Sequence, residues 1–401
     1  MCGICGIVYR DPERRPDRTV LKRMCDTLTL RGPDDSGHTL VGQAGLAMRR
    51  LAIIDLRTGQ QPMSNENSSC HIVFNGEIYN YPALQKDLKN SGHSFSTSSD
   101  TETIVHGYEE WGGDVCTRLN GMFGFAVWDR NEQQLFLARD RLGIKPLYYY
   151  TDTEKIVFGS EIKAILACTD IDVSLDYDAL NNFLTFEYIG APRSIFRQIR
   201  KLEPGHQLIW KRGHLKIKPY WKLKPAEEAW SEEAAAARLE ELLSDSVRMR
   251  LISDVPLGAF LSGGIDSTVM VSLMAKHMNQ PLKTFSIGLP ASSYNELSYA
   301  RAVAKKYDTD HHEYTLDTNA LELTETLMNY LDEPFGDFSI FPTYLVSKMA
   351  RENVTVALSG DGGDELFAGY DTYKAHLFDR KAYHLLPKIV KRYGCNRLAD
   401  L

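Results

Sequence analysis

Hydrophobic and polar positions follow two different patterns along the chain, and the change comes after about residue 222. Before it, Gly, Asn and Asp separate short segments rich in β-branched and aromatic residues, which is typical of strands joined by turns. The clearest such segments are 46–55, 70–80, 121–129 and 134–140. After it, short apolar strands alternate with helical stretches.

The first half also contains a few helices and a hairpin. One helix is predicted from Pro82 to near Gly92, with Pro early and Gly late. A second is predicted from about Asp100 to Trp111, because Ser99 and Glu102 have the spacing of a capping box. Residues 206–221 predict a hairpin that turns at Arg212-Gly213. Together these signals favour antiparallel sheets with flanking helices.

The second half opens with a predicted helix over about 231–249. Strands are predicted at 256–261, 283–289, 312–316 and 354–359, and helices follow at about 267–278, 296–307, 320–331 and 341–351. Such alternation implies a parallel, doubly wound sheet. We therefore expect an α+β domain over 2–205 and an α/β domain over 225–401.

Composition bounds the class of protein. At 401 residues and 43% hydrophobic, the chain is long enough for two domains with sizeable cores. The net charge of -7 argues against a general nucleic-acid binder. No apolar run is long enough to span a membrane, and no secretory signal is recognisable. The seven cysteines lack framework spacing, which fits a reducing compartment and predicts a cytoplasmic location.

The segment SGGIDS, residues 262–267, lies between a predicted strand and a predicted helix. A glycine-rich turn that leads into a helix offers unpaired backbone N–H groups to a phosphate. A Walker A loop is excluded because the chain has no Gly-Lys pair. Asp266 suits such a site if Mg²⁺ bridges it to the phosphate. The alternative is an ordinary loop in which Asp266 caps the helix.

The segment SGDGGDE, residues 359–365, follows another predicted strand in the same way. Two such loops at neighbouring strand ends fit a nucleotide crevice. Asp361, Asp364 and Glu365 supply oxygen ligands or a base. The alternative is a solvated acidic turn.

Cys2 and Cys5 form a C-x-x-C at the start of the chain. The spacing alone allows a redox pair, half of a metal site, or a cysteine needed beside the initiator Met. Other polar segments interrupt the apolar strands, and each alone is weak evidence: Asn75-Gly76 is also consistent with a plain turn, and Asp100 with a helix cap.

These segments together resemble the glutamine-hydrolysing asparagine synthetase family over essentially the whole chain. The motifs MCGI, RGPD, NGEIYN, D-x-E, SGGIDS and SGDGGDE occur in the family's order and at about its spacings. The resemblance implies an N-terminal-nucleophile αββα sandwich, acting as a class II glutamine amidotransferase, followed by an ATP-pyrophosphatase synthetase domain.

For the first domain, the resemblance implies that Met1 is removed and that Cys2 becomes the nucleophile. A free α-amine with a pKa of about 8 can then act as base for its own thiol. Cys5 is expected to be a small buried residue of the first strand. The resemblance further implies that Asn75 and Gly76 form the oxyanion hole. It implies that Arg50 binds the α-carboxylate of glutamine, and that Glu77 and Asp100 bind its α-ammonium.

For the second domain, the resemblance implies a site for ATP, with aspartate activated as β-aspartyl-AMP and Mg²⁺ held by Asp266 and Asp364. Asp361 stands where well-studied members have a glutamate assigned to the ammonia step. The partners implied are small molecules (glutamine, aspartate and ATP), and a homodimer is compatible with the family. The implied ATP contacts are Leu261, Ser262, Gly263, Gly264, Asp266, Ser267, Ile287, Ser359 and Gly360.

Two rival functions stay open at this stage. One is an amidotransferase that acts on another carboxylate, in a natural product or a surface polysaccharide. The other is a catalytically silent regulatory paralogue, against which the shared presence of Cys2, Asn75 and Asp266 speaks. Family members usually continue past this chain's last residue, into segments that bind the acceptor. We therefore expect the 401 residues to hydrolyse glutamine without making asparagine at a useful rate.

Overall fold

The computed structural model describes residues 1–225, 228–288, 296–315 and 320–382. One compact unit comprises the described residues within Met1–Pro256, Asp317–Ser347 and Asn353–Val356, and a second unit comprises the other described residues. The predicted domain limits, 2–205 and 225–401, stay predictions. Within the described ranges, every helix is too short or too polar to cross a membrane.

Up to Arg250, strands dominate. In chain order the elements are β1 (Gly3–Tyr9), α1 (Arg18–Asp26), β2 (Asp35–Val41), β3 (Ala44–Arg50), β4 (Met63–Ser64), β5 (Cys70–Ile78), α2 (Tyr81–Asn90), α3 (Asp100–Trp111), a 3-10 turn (Gly112–Asp114), α4 (Val115–Arg118), β6 (Gly121–Asp129), β7 (Gln134–Arg139), β8 (Tyr148–Thr151), β9 (Lys155–Gly159), α5 (Ile162–Leu166), α6 (Tyr177–Phe186), β10 (Ile199–Lys201), β11 (His206–Lys211), β12 (His214–Pro219) and α7 (Glu232–Arg250).

These strands form two six-stranded sheets. Sheet A has the order β10-β8-β9-β1-β3-β2, and sheet B has the order β12-β11-β7-β6-β5-β4. Neighbouring strands are antiparallel throughout both sheets. Strand β1, which follows Cys2, lies in the interior of sheet A, and β5 lies inside sheet B.

The two sheets pack face to face. Ile4 and Phe158 of sheet A share one buried cluster with Trp128 and Leu137 of sheet B. On the outer face of sheet A, a second cluster includes α1 and α5, and on the outer face of sheet B a third includes α2, α3 and α4. Each sheet therefore buries both faces, and the predicted αββα sandwich is confirmed.

Two local predictions of the first half have different outcomes. The hairpin turn at Arg212-Gly213 is confirmed, with φ of 52° and 83° at the two residues, as a two-residue turn of the mirror-image type requires. The predicted capping box at Ser99 and Glu102 is wrong. Ser99 does cap α3 by accepting the N–H of Thr101, but Glu102 accepts the N–H groups of Ser96 and Thr97 instead of that of Ser99.

From Leu257 onward, strands and helices alternate as predicted, and two further helices follow the last strand. The elements are β13 (Leu257–Phe260), α8 (Ile265–His277), β14 (Lys283–Gly288), α9 (Leu297–Tyr307), β15 (Asp310–Thr315), α10 (Ala320–Met328), α11 (Ile340–Arg351), β16 (Val356–Leu358), α12 (Gly363–Phe367) and α13 (Asp371–Ala382). Leu289 and Leu316, the predicted ends of two strands, lie outside the described residues, as do residues 383–401 of the predicted second domain.

The third sheet, sheet C, has the order β15-β14-β13-β16. Strands β13, β14 and β15 run parallel. The chain moves outward from β13 to β15 and then places β16 on the opposite side of β13, so the sheet is doubly wound, as predicted. In such sheets, ligands bind beside the strands where the order reverses. Here that position lies between β13 and β16.

Candidate active sites

Cys2 is held at the start of β1 by backbone groups. Its Sγ lies 3.4 Å from the N–H nitrogen of Leu51 and 3.6 Å from the Leu51 carbonyl oxygen. Its own carbonyl oxygen accepts a 2.9 Å hydrogen bond from Arg31 Nε. Burial raises the pKa of the Cys2 thiol, while the Leu51 N–H, the amino terminus and Arg50 oppose that rise. The thiol therefore needs a neighbouring base or cation to react at neutral pH.

Asn75 and Gly76 lie inside β5. The Asn75 side chain is fully buried, and neither its oxygen nor its nitrogen has a hydrogen-bond partner among the described residues. A Cβ on Gly76 would collide with the Met122 carbonyl oxygen and would come within 2.8 Å of Phe123 Cα. Only glycine fits where β5 approaches β6 this closely. A buried amide without a partner is costly unless it meets a ligand.

Asp100 lies in the first turn of α3 and is buried. It accepts the N–H of Ile78 at 3.0 Å. Burial raises the pKa of the Asp100 carboxyl to about 7, and the negative charge of Glu77 adds to the rise. Burial likewise raises the pKa of Glu77. Two desolvated carboxyl groups that oppose each other's ionisation suit a bound cation.

Arg50 ends β3 and organises the loop after it. Its Nη2 donates to the carbonyl oxygens of Ile54 and Asp55, at 3.0 and 2.7 Å. The Asp55 carboxylate in turn accepts the N–H groups of Thr58 and Ser98. The guanidinium is thus held in place at 5% exposure, and its positive charge acts on the Cys2 thiol together with the negative charge of Asp100. The structure brings Cys2, Arg50 and Asp100 into one electrostatic environment.

In the second unit, SGGIDS forms the turn between β13 and α8. Gly263 has a φ of 90°, and a Cβ there would approach the Ala300 nitrogen to 2.6 Å. Gly264 is the N-cap of α8 and carries no side-chain cap. The Ser262 and Ser267 hydroxyls are 3.0 Å apart and hold the turn closed. The helix therefore begins with N–H groups that no capping side chain covers.

Asp266 belongs to the first turn of α8 and is not its N-cap, so the helix-cap alternative is wrong. The second glycine loop packs against it: a Cβ on Gly360 would lie 2.9 Å from Asp266 Cβ, and one on Gly363 would lie 2.6 Å from Asp266 Oδ2. The glycines of one loop thus let its backbone pack closely against the carboxylate of the other. The predicted pairing of the two loops at neighbouring strands is confirmed.

The remaining predicted residues of this unit are dispersed around the loops. Ser359 donates its hydroxyl to Asp361 Oδ2 at 2.9 Å, in an exposed turn. The Asp364 carboxylate lies against Gly369, where a Cβ would collide with it. The Leu261 side chain is buried, so a ligand can meet only its backbone, whereas Ile287 on β14 is half-buried.

Comparisons with known proteins match the two halves of the chain to two different domain families. A model of the glutamine amidotransferase domain matches residues 1–221, and the asparagine synthase model matches residues 238–400. The chain is 38% identical over 398 residues to putative asparagine synthetase [glutamine-hydrolyzing] 2 of Methanocaldococcus jannaschii, a match that covers 93% of this chain and 76% of the relative. It belongs to the glutamine-hydrolysing asparagine synthetase family. The resemblance predicted from the motifs is confirmed.

Other members of the asparagine synthetase family are longer. Asparagine synthetase [glutamine-hydrolyzing] 1 of Bacillus subtilis is 36% identical over 397 residues, covering 98% of this chain and 62% of the relative. Asparagine synthetase [glutamine-hydrolyzing] 3 of the same bacterium is 35% identical over 394 residues, in a match that covers 92% of this chain and 63% of the relative. The chain thus spans about three fifths of the length of these two synthetases.

Sequence reasoning missed two cationic residues near Cys2 of this family member. Arg31 holds the Cys2 carbonyl and also contacts Glu161 at 3.1 Å. Lys145 is 3% exposed, and its Nζ lies 2.8 Å from Met1 Sδ. Burial lowers the pKa of Lys145, and the charges of Glu77 and Cys2 oppose that change. A lysine inside the apolar run LGIKPLYYY was the available signal.

Proposed function

We propose that the protein is a glutamine-dependent asparagine synthetase whose first unit releases ammonia from glutamine. Two observations carry this proposal: the Cys2 sulfur is held by Leu51, the residue next to Arg50, and the opposite charges of Arg50 and Asp100 both act on that thiol. A free amino acid carries one carboxylate and one ammonium, and this pair offers one opposite charge to each. Arg50 would bind the α-carboxylate, and Asp100 with Glu77 would bind the α-ammonium.

The proposed reaction begins with removal of Met1, which leaves the Cys2 amine free. That amine takes the thiol proton, Sγ bonds to the side-chain amide carbon of glutamine, and the oxygen becomes negative. The Asn75 side chain and the Gly76 N–H would stabilise that oxygen. The C–N bond then breaks, the amine returns the proton to the leaving ammonia, and water hydrolyses the γ-glutamyl thioester to glutamate.

Lys145 supports this chemistry electrostatically in the proposal. Its buried ammonium lies 2.8 Å from Sδ of Met1, the residue that is removed, and its charge acts on the Cys2 thiol. A cation at this position favours the thiolate and disfavours protonation of the neighbouring amine. Both effects increase the fraction of enzyme with a free base and a reactive sulfur at neutral pH.

In the second unit, ATP would bind between the loops that follow β13 and β16. The N–H groups at the start of α8 and the hydroxyls of Ser262 and Ser267 suit the pyrophosphate oxygens. Asp266 and Asp364 would hold Mg²⁺, which supplies positive charge to the pyrophosphate as it leaves. The second loop packs against Asp266 through Gly360 and Gly363, so the two loops meet at the carboxylate that would hold the ion. Aspartate would be activated as β-aspartyl-AMP and then attacked by ammonia, with Asp361 assisting that step.

The test is to supply glutamine, aspartate and ATP with Mg²⁺ to the purified protein and to measure glutamate and asparagine separately. Mass spectrometry of the active protein should show a chain that begins at Cys2. Glutamate formation by a protein that retains Met1 would contradict the role of the Cys2 amine. Glutamate release with no asparagine is the result expected of these 401 residues, and asparagine formation at a useful rate would show that they bind the acceptor themselves. Absence of glutamate would contradict the proposed function.

A further inference from the structure

A cluster of imidazoles and carboxylates lies on the first unit, apart from the residues assigned above. Glu66, His93, His106 and Glu109 each offer one ligand atom, and these atoms all lie within 4.8 Å of one another. Glu66 follows β4, His93 follows α2, and the other two residues are one helical turn apart on α3. Segments distant in sequence thus converge on one point.

The distances approach those of a metal site. His106 Nδ1 lies 3.6 Å from Glu66 Oε2 and 3.7 Å from Glu109 Oε2. His93 Nδ1 lies 3.7 Å from that same Glu109 oxygen. Tetrahedral zinc with bonds of about 2.0–2.1 Å places its ligand atoms about 3.4 Å apart. Small side-chain adjustments would close the cluster around an ion.

His106 independently indicates a missing partner. Its side chain is 1% exposed, and neither ring nitrogen has a hydrogen-bond partner among the described residues. Phe95 packs edge-on against the ring at 4.7 Å, so the ring is held on that side by an apolar group. A buried imidazole that directs Nδ1 at two carboxylates requires either a proton on the ring or a metal ion between them.

The opposite nitrogens of both rings face carboxylates. His93 Nε2 lies 3.2 Å from Glu110 Oε2, and His106 Nε2 lies 3.6 Å from Glu102 Oε1. Histidines that bind metals usually direct their second ring nitrogen at a carboxylate, which orients the ring and raises its basicity. Glu102 is itself fixed by the N–H groups of Ser96 and Thr97.

We propose that Glu66, His93, His106 and Glu109 form a zinc site that ties the segments after β4 and after α2 to α3. Two neutral imidazoles and two carboxylates balance the charge of one divalent ion. Zn²⁺ suits this mixed nitrogen and oxygen set, whereas Mg²⁺ and Ca²⁺ prefer oxygen ligands. The ion would hold residues 93–97, the segment that leads into Ser99 and Asp100.

The test is a zinc titration of the untagged, chelator-treated 401-residue protein by calorimetry, without substrate. Wild type should bind one more equivalent of Zn²⁺ than His93→Asn, whose affinity at this site should fall at least about 100-fold. Glu110→Gln should weaken binding by about ten- to a hundredfold, because it removes only the carboxylate behind His93. The control His214→Asn, at an exposed position on β12, should bind like wild type.

Thermal unfolding provides a second readout. Zn²⁺ should raise the Tm of wild type and of His214→Asn, and it should leave that of His93→Asn unchanged. Mg²⁺ should have no such effect at this cluster. Equal zinc affinity and equal stabilisation of His93→Asn and wild type would overturn the proposal, and so would a wild type that binds Mg²⁺ there as tightly as Zn²⁺.

Discussion

The backbone N–H nitrogen of Leu51 lies 3.4 Å from the sulfur of Cys2, and the carbonyl oxygen of the same residue lies 3.6 Å from it. One residue thus meets the thiol with both a donor and an acceptor. The acceptor favours the protonated thiol and the donor favours the thiolate, so Leu51 is compatible with both protonation states of Cys2. Leu51 follows Arg50 directly, so the residue that holds the sulfur adjoins the one whose positive charge acts on the thiol.

The buried amide of Asn75 has no hydrogen-bond partner among the described residues, so its removal separates catalysis from stability. We expect Asn75→Ala to lower kcat for glutamine hydrolysis by about 10²–10³, the usual effect of losing one oxyanion donor. Its Tm should change little, apart from the cost of the lost volume. Steady-state kinetics and thermal unfolding on the same preparation measure both quantities.

Asn65 is the matched control. It is equally buried, but its amide accepts the Cys70 N–H at 3.0 Å and donates to Ser69 at 2.9 Å. Asn65→Ala should therefore cost about 1–3 kcal/mol of stability by leaving a buried N–H unpaired, with kcat preserved. If Asn75→Ala kept wild-type kcat, its oxyanion role would be wrong.

Asp100 predicts a pH dependence of glutamine binding. Because the pKa of its carboxyl is raised to about 7, the fraction ionised in the free enzyme grows as pH rises through about 7. The KM for glutamine should therefore fall over that range. Asp100→Asn should raise KM by roughly thirtyfold, which corresponds to about 2 kcal/mol for a lost buried charge pair, and should flatten the pH profile. KM is to be measured from pH 6 to 9.

The same carboxyl affects stability with a defined sign. Between an unfolded value of 3.8 and a folded value of about 7, the folded state binds more protons than the unfolded state. The free energy of unfolding of wild type should then decline as pH rises through this window, relative to that of Asp100→Asn. Asp87→Asn, at an exposed position on α2, serves as control and should follow wild type. Identical profiles for all three proteins would refute the assignment.

Asp266 tests the nucleotide site of the second unit. Asp266→Asn should abolish ATP–pyrophosphate exchange and leave glutamine hydrolysis intact, because in the proposed site its carboxylate would hold Mg²⁺ and no cap hydrogen bond depends on it. Asp308→Asn is the control, since Asp308 is an exposed C-cap in the left-handed conformation that Asn tolerates. Normal exchange by Asp266→Asn would exclude this carboxylate from the metal site.

Sequence periodicity was sufficient for much of this architecture. Strand and helix alternation predicted the parallel sheet, and Arg212-Gly213 predicted its hairpin, because both depend on local signals. The partners of Glu102 depend on the fold of 93–99, so a capping-box spacing was misleading there. Lys145 and the cluster around His106 were missed for a related reason: their members are far apart in sequence, and only packing brings them together.

The most direct test of the central claim compares Cys2 and Cys5, the two cysteines of the C-x-x-C at the start of the chain. Cys5 is fully buried in β1, whereas Cys2 is held by Leu51 near Arg50. Glutamate release is to be measured for wild type, Cys2→Ala and Cys5→Ala. We predict that Cys2→Ala shows no release above the uncatalysed rate, and that Cys5→Ala retains activity within a few-fold of wild type. Release by Cys2→Ala at the wild-type rate would contradict Cys2 as the nucleophile and, with it, the proposed reaction.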